Sequence, residues 1–435
     1  MNRRPAHNHN PGIRGIQRLA GLALLAICAI TQAKGEKDQA SLEDALRQGS
    51  ASIGLRYRLE QVELSGASNP DTGYDNSATA STLRTTLGFR SGRWQGFSAY
   101  IQFENVSNLG AADLHNSTTN GVTDRPVIAD PKGTEVQQAY LRYSLDDRAE
   151  FTLGRLEFAL NNQRFVGPVG WRQNHQSFDL LKADLHLIPR TRLSYAYLDR
   201  VHRVFGYSVD MSSHLLNAPI TLGNGTLTPY FYLLDYAKDS GFREQSSRTL
   251  GLSWSHAFNL TDDWSMPYRL EFADQRDAGG NPNERDADYL NLELGFAGNQ
   301  FWIKGGLEQL SGSPGDGQFS TPLATLHAFN GWADLFLSTP AGGLQDSYLA
   351  AGLSWGGRWS GQLKVHRFNA DTTFLDPAGY RVDHYGNEVD ALLTYTAAWK
   401  QQFAIKIASY SAADDSVLGT GTDTMKYWFY STYSW

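Results

Sequence analysis

A chain of 435 residues with 38 basic and 45 acidic side chains has a formal net charge of −7 and a single cysteine. That acidic balance disfavours nucleic acid as a partner, because phosphate binding needs a basic footprint. One cysteine excludes an intramolecular disulfide framework and a cysteine-built metal centre.

Met1 to Ala33 reads as a secretion signal, with basic residues at Arg3, Arg4, Arg14 and Arg18, an apolar run from Leu19 to Ile30, and Thr31-Gln32-Ala33 as the cleavage site. The apolar run is shorter than the about 20 residues a spanning helix needs. No later stretch qualifies, so any membrane insertion must use strands. Cys28 lies inside the signal, and Ile27 before it argues against lipidation. Sec export with cleavage near Ala33 would leave a more acidic chain without a thiol. Lys34 to Gly49 is a polar leader, expected in the periplasm. A short helix is predicted at Ser41 to Gln48, started by Ser41 with Asp44 three residues on.

From Ser50 to the last residue the chain alternates apolar with polar, charged or glycine positions, the period of a strand. Ile53, Leu55, Tyr57 and Leu59 fall on one face and Arg56, Arg58 and Glu60 on the other. Leu83, Leu87 and Phe89 oppose Arg84 and Arg90, and Phe97, Ala99, Ile101 and Phe103 oppose Gln102 and Glu104. The pattern recurs with Tyr268, Leu270 and Phe272 against Arg269 and Glu271, and with Leu290, Leu292 and Leu294 against Asn291 and Glu293. It continues with Phe301, Ile303 and Leu307 against Lys304 and Glu308, then Val389, Ala391 and Leu393 against Glu388 and Asp390. Phe178 to Leu187 and Tyr230 to Tyr236 do not alternate cleanly, which leaves their facing open.

Short connections such as Asp146-Asp147-Arg148 and Gly356-Gly357-Arg358 take turns with long ones, including Leu64 to Ala80, Ser107 to Gly133, Asn161 to Ser177 and Gly312 to Gly343. A bilayer admits only helices and edge-free barrels. Alternating strands, a secretion signal and this loop asymmetry together predict an all-β fold. The predicted form is a single transmembrane antiparallel barrel over residues 50–435, of about 18 strands with short periplasmic turns and long extracellular loops. Trp94, Trp264, Trp359 and Trp399 lie at or beside short turns, where an interfacial aromatic girdle belongs. Tyr427, Phe429, Tyr433 and Trp435 share one face of the last strand, the kind of terminal signal that barrel-assembly machinery reads.

Inward charge is segregated along the chain. Arg56, Arg58, Arg84, Arg90 and Arg142 on early strands join Lys406 and Lys426 on the last two, adjacent through closure, as a basic wall. Glu271, Glu293, Glu308, Glu388 and Asp390 form an acidic wall. Such walls would set a transverse field across the lumen. Ser213-His214 and the isolated His175, His202, His256, His327, His366 and His384 show no metal-ligand spacing. There is no Gly-x-Ser-x-Gly elbow or Cys–His arrangement either, so neither catalysis, a cofactor nor a metal is expected.

Gly154-Arg155, Arg164-Phe165-Val166-Gly167, Trp171-Arg172 and Phe178-Asp179, with Thr321 to Asp346, resemble motifs of the alginate-export family of outer-membrane porins. The resemblance implies a monomeric barrel of roughly eighteen strands that passes anionic or sugar-like solutes, with infolded loops narrowing the lumen. Arg155, Arg164 and Arg172 would line that constriction, although strict alternation puts Arg155 on the lipid side unless Gly154 forms a bulge. The acidic wall fits an exclusively polyanionic cargo poorly. The favoured function is passive diffusion of small hydrophilic, anionic or oligosaccharide solutes across the outer membrane of a Gram-negative cell, amid lipopolysaccharide. The alternatives are a dedicated exporter of an anionic polysaccharide such as alginate, or a barrel enzyme. Trp435→Asp is expected to lower the yield of assembled barrel in cells, measured by the fraction that becomes detergent-resistant; equal yields would dismiss the terminal signal.

Overall fold

The computed structural model describes residues 41–65, 74–111, 114–314, 317–375, 379, 381–413 and 421–435. The secretion signal, the start of the leader at 34–40 and the middle of the Leu64 to Ala80 loop lie outside them. The leader helix, α1, forms at Leu42–Arg47, where Ser41 caps it and the Asp44 side chain returns the bond, the box read from the spacing.

Alternation becomes strand throughout. The early strands are β1 (Ser50–Ser65), β2 (Ser77–Arg90), β3 (Phe97–Asn108), β4 (Gly133–Leu145), β5 (Ala149–Leu156) and β6 (Ser177–Ile188). Then come β7 (Thr191–His202), β8 (Ser208–Asn217, continued as Ile220–Leu222), β9 (Gly225–Leu234), β10 (Ser247–Asn259), β11 (Ser265–Asp277) and β12 (Asp286–Ala297). The last are β13 (Phe301–Leu310), β14 (Leu344–Trp355), β15 (Trp359–Leu375), β16 (Arg381–Thr396), β17 (Gln402–Ala412) and β18 (Asp423–Ser434). The break in β8 falls at Pro219, which has no N–H to give a ladder.

Each strand pairs antiparallel with the next, and β1 pairs with β18, so 18 strands close into one barrel. Closure runs to the end of the chain: Ile53 and Trp435 exchange two backbone hydrogen bonds of 2.8 Å. No edge is left, which is what a hydrocarbon environment demands. Both described ends lie with the short turns, and the long loops gather at the opposite rim.

The facing read from alternation holds where alternation was clean. Leu55, Leu87, Phe103, Leu270, Leu294 and Val389 are exposed on the outer surface, while Arg58, Glu104, Glu271, Glu308 and Asp390 are buried within. The two segments of unclear facing have a physical explanation. Phe178 and Leu180, and Tyr230, Tyr232, Leu234 and Tyr236, are buried on the inside. The inner face at these residues packs on loop side chains rather than on water, so apolar residues appear on it, while Asp179 falls on the outer face beside Arg155; the sign of the alternation is thereby lost. Because the backbone network is closed, unboiled protein should migrate differently from boiled protein on a denaturing gel; identical migration, with recovery in the soluble periplasm, would contradict the barrel.

Candidate functional site

Two long loops meet inside the barrel. The segment 157–176 between β5 and β6 carries Phe165 and Val166, apolar side chains that would gain nothing in an external loop facing water. Phe165 packs its ring 5.4 Å from Tyr230, 5.3 Å from Tyr289 and 5.8 Å from Phe319. Val166 is bridged in parallel to Leu323 of the late loop, and the Gly167 N–H donates to the Leu323 carbonyl at 2.9 Å. The two loops therefore share backbone hydrogen bonds and enter the lumen as a unit.

Charged side chains set their position. Arg164 Nε donates to Glu308 on β13 at 2.7 Å, its Nη1 to Thr321 at 3.1 Å and its Nη2 to Asn330 at 2.9 Å. Asn330 returns a 2.6 Å bond to Glu308, which also accepts from the Tyr289 hydroxyl at 2.7 Å. Arg172 lies 3.3 Å from Glu60 of β1 and 2.8 Å from Asp334 of the late loop. Burying Phe165 contributes about 2 kcal/mol, whereas a buried ion pair gains little net energy over its desolvation cost. Apolar burial thus holds the loops inside, and the ion pairs specify where.

At the junction Trp171 stacks on His327 with ring centres 4.2 Å apart. Arg58 lies 4.1 Å and Lys406 4.0 Å from the Trp171 ring, and Lys406 sits 3.7 Å from Trp332. His327 Nδ1 is 2.7 Å from Asp334, and Lys406 Nζ is 2.5 Å from Nε2. These partners define a neutral ring that donates from Nδ1 and accepts at Nε2. Burial pushes the His327 pKa down to about 3, against the attraction of Asp334 and helped by Lys406. Burial opposes ionisation of Asp334 too, but His327, Lys426 and Arg172 hold its carboxyl well below the usual range.

The predicted lining residues divide by environment. Arg56 and Arg84 stand directly opposite each other on β1 and β2. Arg84 lies 3.9 Å from Glu104 and contacts His175, whose other nitrogen is 2.7 Å from Glu157. Burial, with Arg84 and Arg56 alongside, holds the His175 pKa below its ordinary value. Arg56 has no carboxylate at ion-pair distance among the described residues; its Nη1 donates to the Gly170 carbonyl at 3.0 Å. Arg58 is neutralised by Glu60 at 2.9 Å and by Asp130 at 3.7 Å. Nearer the short turns, Arg90 lies over Tyr100 at 4.6 Å and Arg142 is 3.3 Å from Glu150. Lys426 lies 3.9 Å from Asp334.

Across the barrel, Glu271 pairs with Arg269 at 2.7 Å and Glu293 with Lys304 at 2.8 Å. Glu388 accepts from the Ala333 N–H of the late loop at 2.8 Å, and Asp390 faces His366 at 3.7 Å. Gly331 takes φ +85°, a left-handed conformation that favours glycine, and a Cβ there would also press on the Glu388 carboxylate at 2.3 Å.

Three expectations need correction. The ladder runs through Gly154 without a register shift, pairing Leu153 with Leu141 and Arg155 with Ala139. No bulge turns Arg155, which stays on the outer face with Leu141 and pairs with Asp179 at 2.8 Å. Arg164 and Arg172 do enter the lumen, but as buried ties between loop and wall rather than as free lining groups. The two walls do not confront each other across open water, since Glu60, Glu104 and Asp130 lie within the basic one and loops fill the space between. Glu60 was legible by alternation; Asp130, Asp334, Trp171 and His327 sit in loops, where no period marks a facing.

A closed barrel of 18 strands with short turns at one rim and long loops folded into the lumen is the fold of an outer-membrane porin-type channel. Solved Pseudomonas aeruginosa outer-membrane structures are similar to it. The outer membrane protein opdK matches with a TM-score of 0.67 and 14% identity, over 90% of this chain and 100% of that one. OccK9 (OpdG) matches at 0.68 and 14%, over 90% and 99%, and OpdL at 0.66 and 15%, over 90% and 99%. At these identities the likeness is one of fold. No protein-family model and no curated relative matches the sequence, so the alginate-export motifs remain a resemblance.

Arg164→Ala should leave Glu308 buried without its counter-charge, at a cost of about 3–5 kcal/mol, and loosen the paired loops. The expected readout in a planar bilayer is higher and noisier single-channel conductance, with Arg164→Ala/Glu308→Gln closer to wild type. Unchanged conductance in the folded single variant would show that this tie does not position the loops.

Proposed function

We propose that the protein is a passive outer-membrane channel for small hydrophilic solutes with a preference for anions. The observation that carries this is the Arg56–Arg84 pair beside the infolded loop. The two arginines are register partners on adjacent strands with one carboxylate, Glu104, at ion-pair distance; Arg56 is buried against the loop and Arg84 is the more accessible of the two. Such an arrangement is poised to accept a passing anion by charge-assisted hydrogen bonds. A second structure of the similar OpdK is of that protein with vanillate, which supports a small organic anion as the solute class.

Export through a signal cleaved near Ala33 and insertion by barrel-assembly machinery through the last strand belong to the same reading, as does a lipid and lipopolysaccharide environment. A dedicated exporter of an alginate-like polymer fits less well. A polymer needs a wide continuous lumen, whereas the loops around Phe165 and Leu323 cross this one. A barrel enzyme would need a nucleophile beside a base, but His327 and His366 bond Asp334 and Asp346 and face Lys406 and Asp390.

Reversal potentials under a salt gradient test the reading. Wild type should favour anions, Arg56→Ala/Arg84→Ala should shift several-fold toward cations, and Glu293→Gln should shift toward anions. The differences should shrink near 1 M salt, where the screening length falls to about 3 Å. No shift in the double variant would place the selective step elsewhere.

A further inference from the structure

The outer surface of the barrel carries charge on strands whose outward residues are otherwise apolar. On β10, β11 and β12, Leu252, Phe272 and Leu290 form one outward row of the ladder. Phe272 is 53% exposed, as expected of a lipid-facing side chain. The next row toward the long-loop rim is Leu250, Asp274 and Asp288, and the one beyond is Arg248, Arg276 and Asp286. Charges that face outward are costly in hydrocarbon and nearly free at its edge. These rows therefore lie where acyl chains give way to head groups, at the rim opposite the short turns.

Pairing within the patch is incomplete. Arg276 is 3.0 Å from Asp274 and also bonds Asp286. Arg248 stands directly across the ladder from Arg276 and makes no ion pair among the described residues. Like charges directly opposite on a ladder destabilise it unless an anion lies between them. A recess of about 590 Å³ opens here, lined by both arginines, by Arg285 and by the hydroxyls of Ser311, Ser313 and Thr372. The Nε of Arg285 is buried without a hydrogen-bond partner. Four carboxylates share the recess, Asp277, Glu284, Asp286 and Asp371. Asp286 is taken by Arg276, Asp277 accepts from the Arg285 N–H at 3.3 Å, and Asp371 accepts from Gln345 at 3.2 Å and the Gly312 N–H at 3.4 Å, which leaves Glu284 to face a ligand.

We propose that this recess is a docking site for the phosphorylated saccharide head group of lipopolysaccharide in the outer leaflet. Its phosphate would lie between Arg248 and Arg276, which present the planar forks that suit phosphate oxygens. The volume falls within the roughly 300–1,000 Å³ of sites for sugar-sized ligands. The hydroxyls and Glu284 face the sugar hydroxyls. A lipid rather than a soluble sugar phosphate is the occupant, because the recess continues the lipid-facing rows and not the lumen. The inference rests on outer-membrane placement but not on which solute the channel passes.

The test uses full-length mature protein in detergent micelles, titrated with deep-rough lipopolysaccharide and followed by native mass spectrometry. Wild type should retain lipopolysaccharide, Arg248→Ala should bind about tenfold more weakly, the loss of one charge-assisted contact, and Arg248→Ala/Arg276→Ala more weakly still. Enzymatically dephosphorylated lipopolysaccharide should bind wild type no better than the double variant. Heat-modifiable migration and single-channel conductance should be unchanged in Arg248→Ala, which breaks no ion pair; that separates loss of the site from loss of the barrel. Equal binding by wild type and Arg248→Ala, equal binding of phosphorylated and dephosphorylated lipid, or competition by soluble glucose 6-phosphate at similar concentration would overturn the proposal.

Discussion

Backbone polar groups have no partners in hydrocarbon, and that constraint governs the whole molecule. It is met by one uninterrupted antiparallel ladder in which Ile53 of the first strand and Trp435 at the end of the last exchange hydrogen bonds. Once the ladder closes, every side chain has one of two destinations, lipid or lumen, and a single residue of slippage would exchange them all. Gly154 illustrates the tightness of that arrangement. A Cβ there would lie 2.3 Å from the Ala139 carbonyl oxygen, so glycine lets β4 and β5 stay in register.

The lumen is not simply a polar pore. Its middle is filled by loops 157–176 and 317–343, whose apolar residues pack against Tyr230, Tyr289 and Phe368 of the wall. A polar barrel interior thereby acquires a hydrophobic core, which Tyr230, Tyr232 and Tyr289 face from the wall. The ion pairs at Arg164 and Arg172 then act as positional keys within that core. Their energetic gain is small beside that of apolar burial, but leaving either partner alone in a dry interior is expensive.

Electrostatics follow from the same filling. Where a loop docks, its charge answers the charge of the wall: Arg164 meets Glu308, and Asp334 meets Lys426. Compensation is less complete at Arg56, which meets the docked loop at the Gly170 carbonyl rather than at a carboxylate, and at Arg248 on the outer face, which makes no ion pair among the described residues. Those are the places where a mobile anion or a lipid phosphate has something to gain. The proposed selectivity and the proposed surface site both rest on this incomplete compensation.

Much of this was legible in the sequence. Period-two alternation determined the strands, their facing and the barrel, because a strand shows one side chain to each face whatever its neighbours do. Ser41 and Asp44 likewise announced the leader helix, a purely local arrangement. The apolar residues of Asn161 to Ser177, such as Phe165 and Val166, pointed to infolding, since they have no use in water. What the sequence could not determine is which charges meet. Arg164 and Glu308 are 144 residues apart, and loop residues such as Asp130, Asp334 and His327 follow no period that would reveal a facing. The failed alternation at Phe178 and Tyr230 was a real signal of the filled lumen, but its meaning required the loop to be seen against it. Local periodicity is written into neighbouring residues; the partner of a loop charge is decided only when distant segments are folded into one closed space.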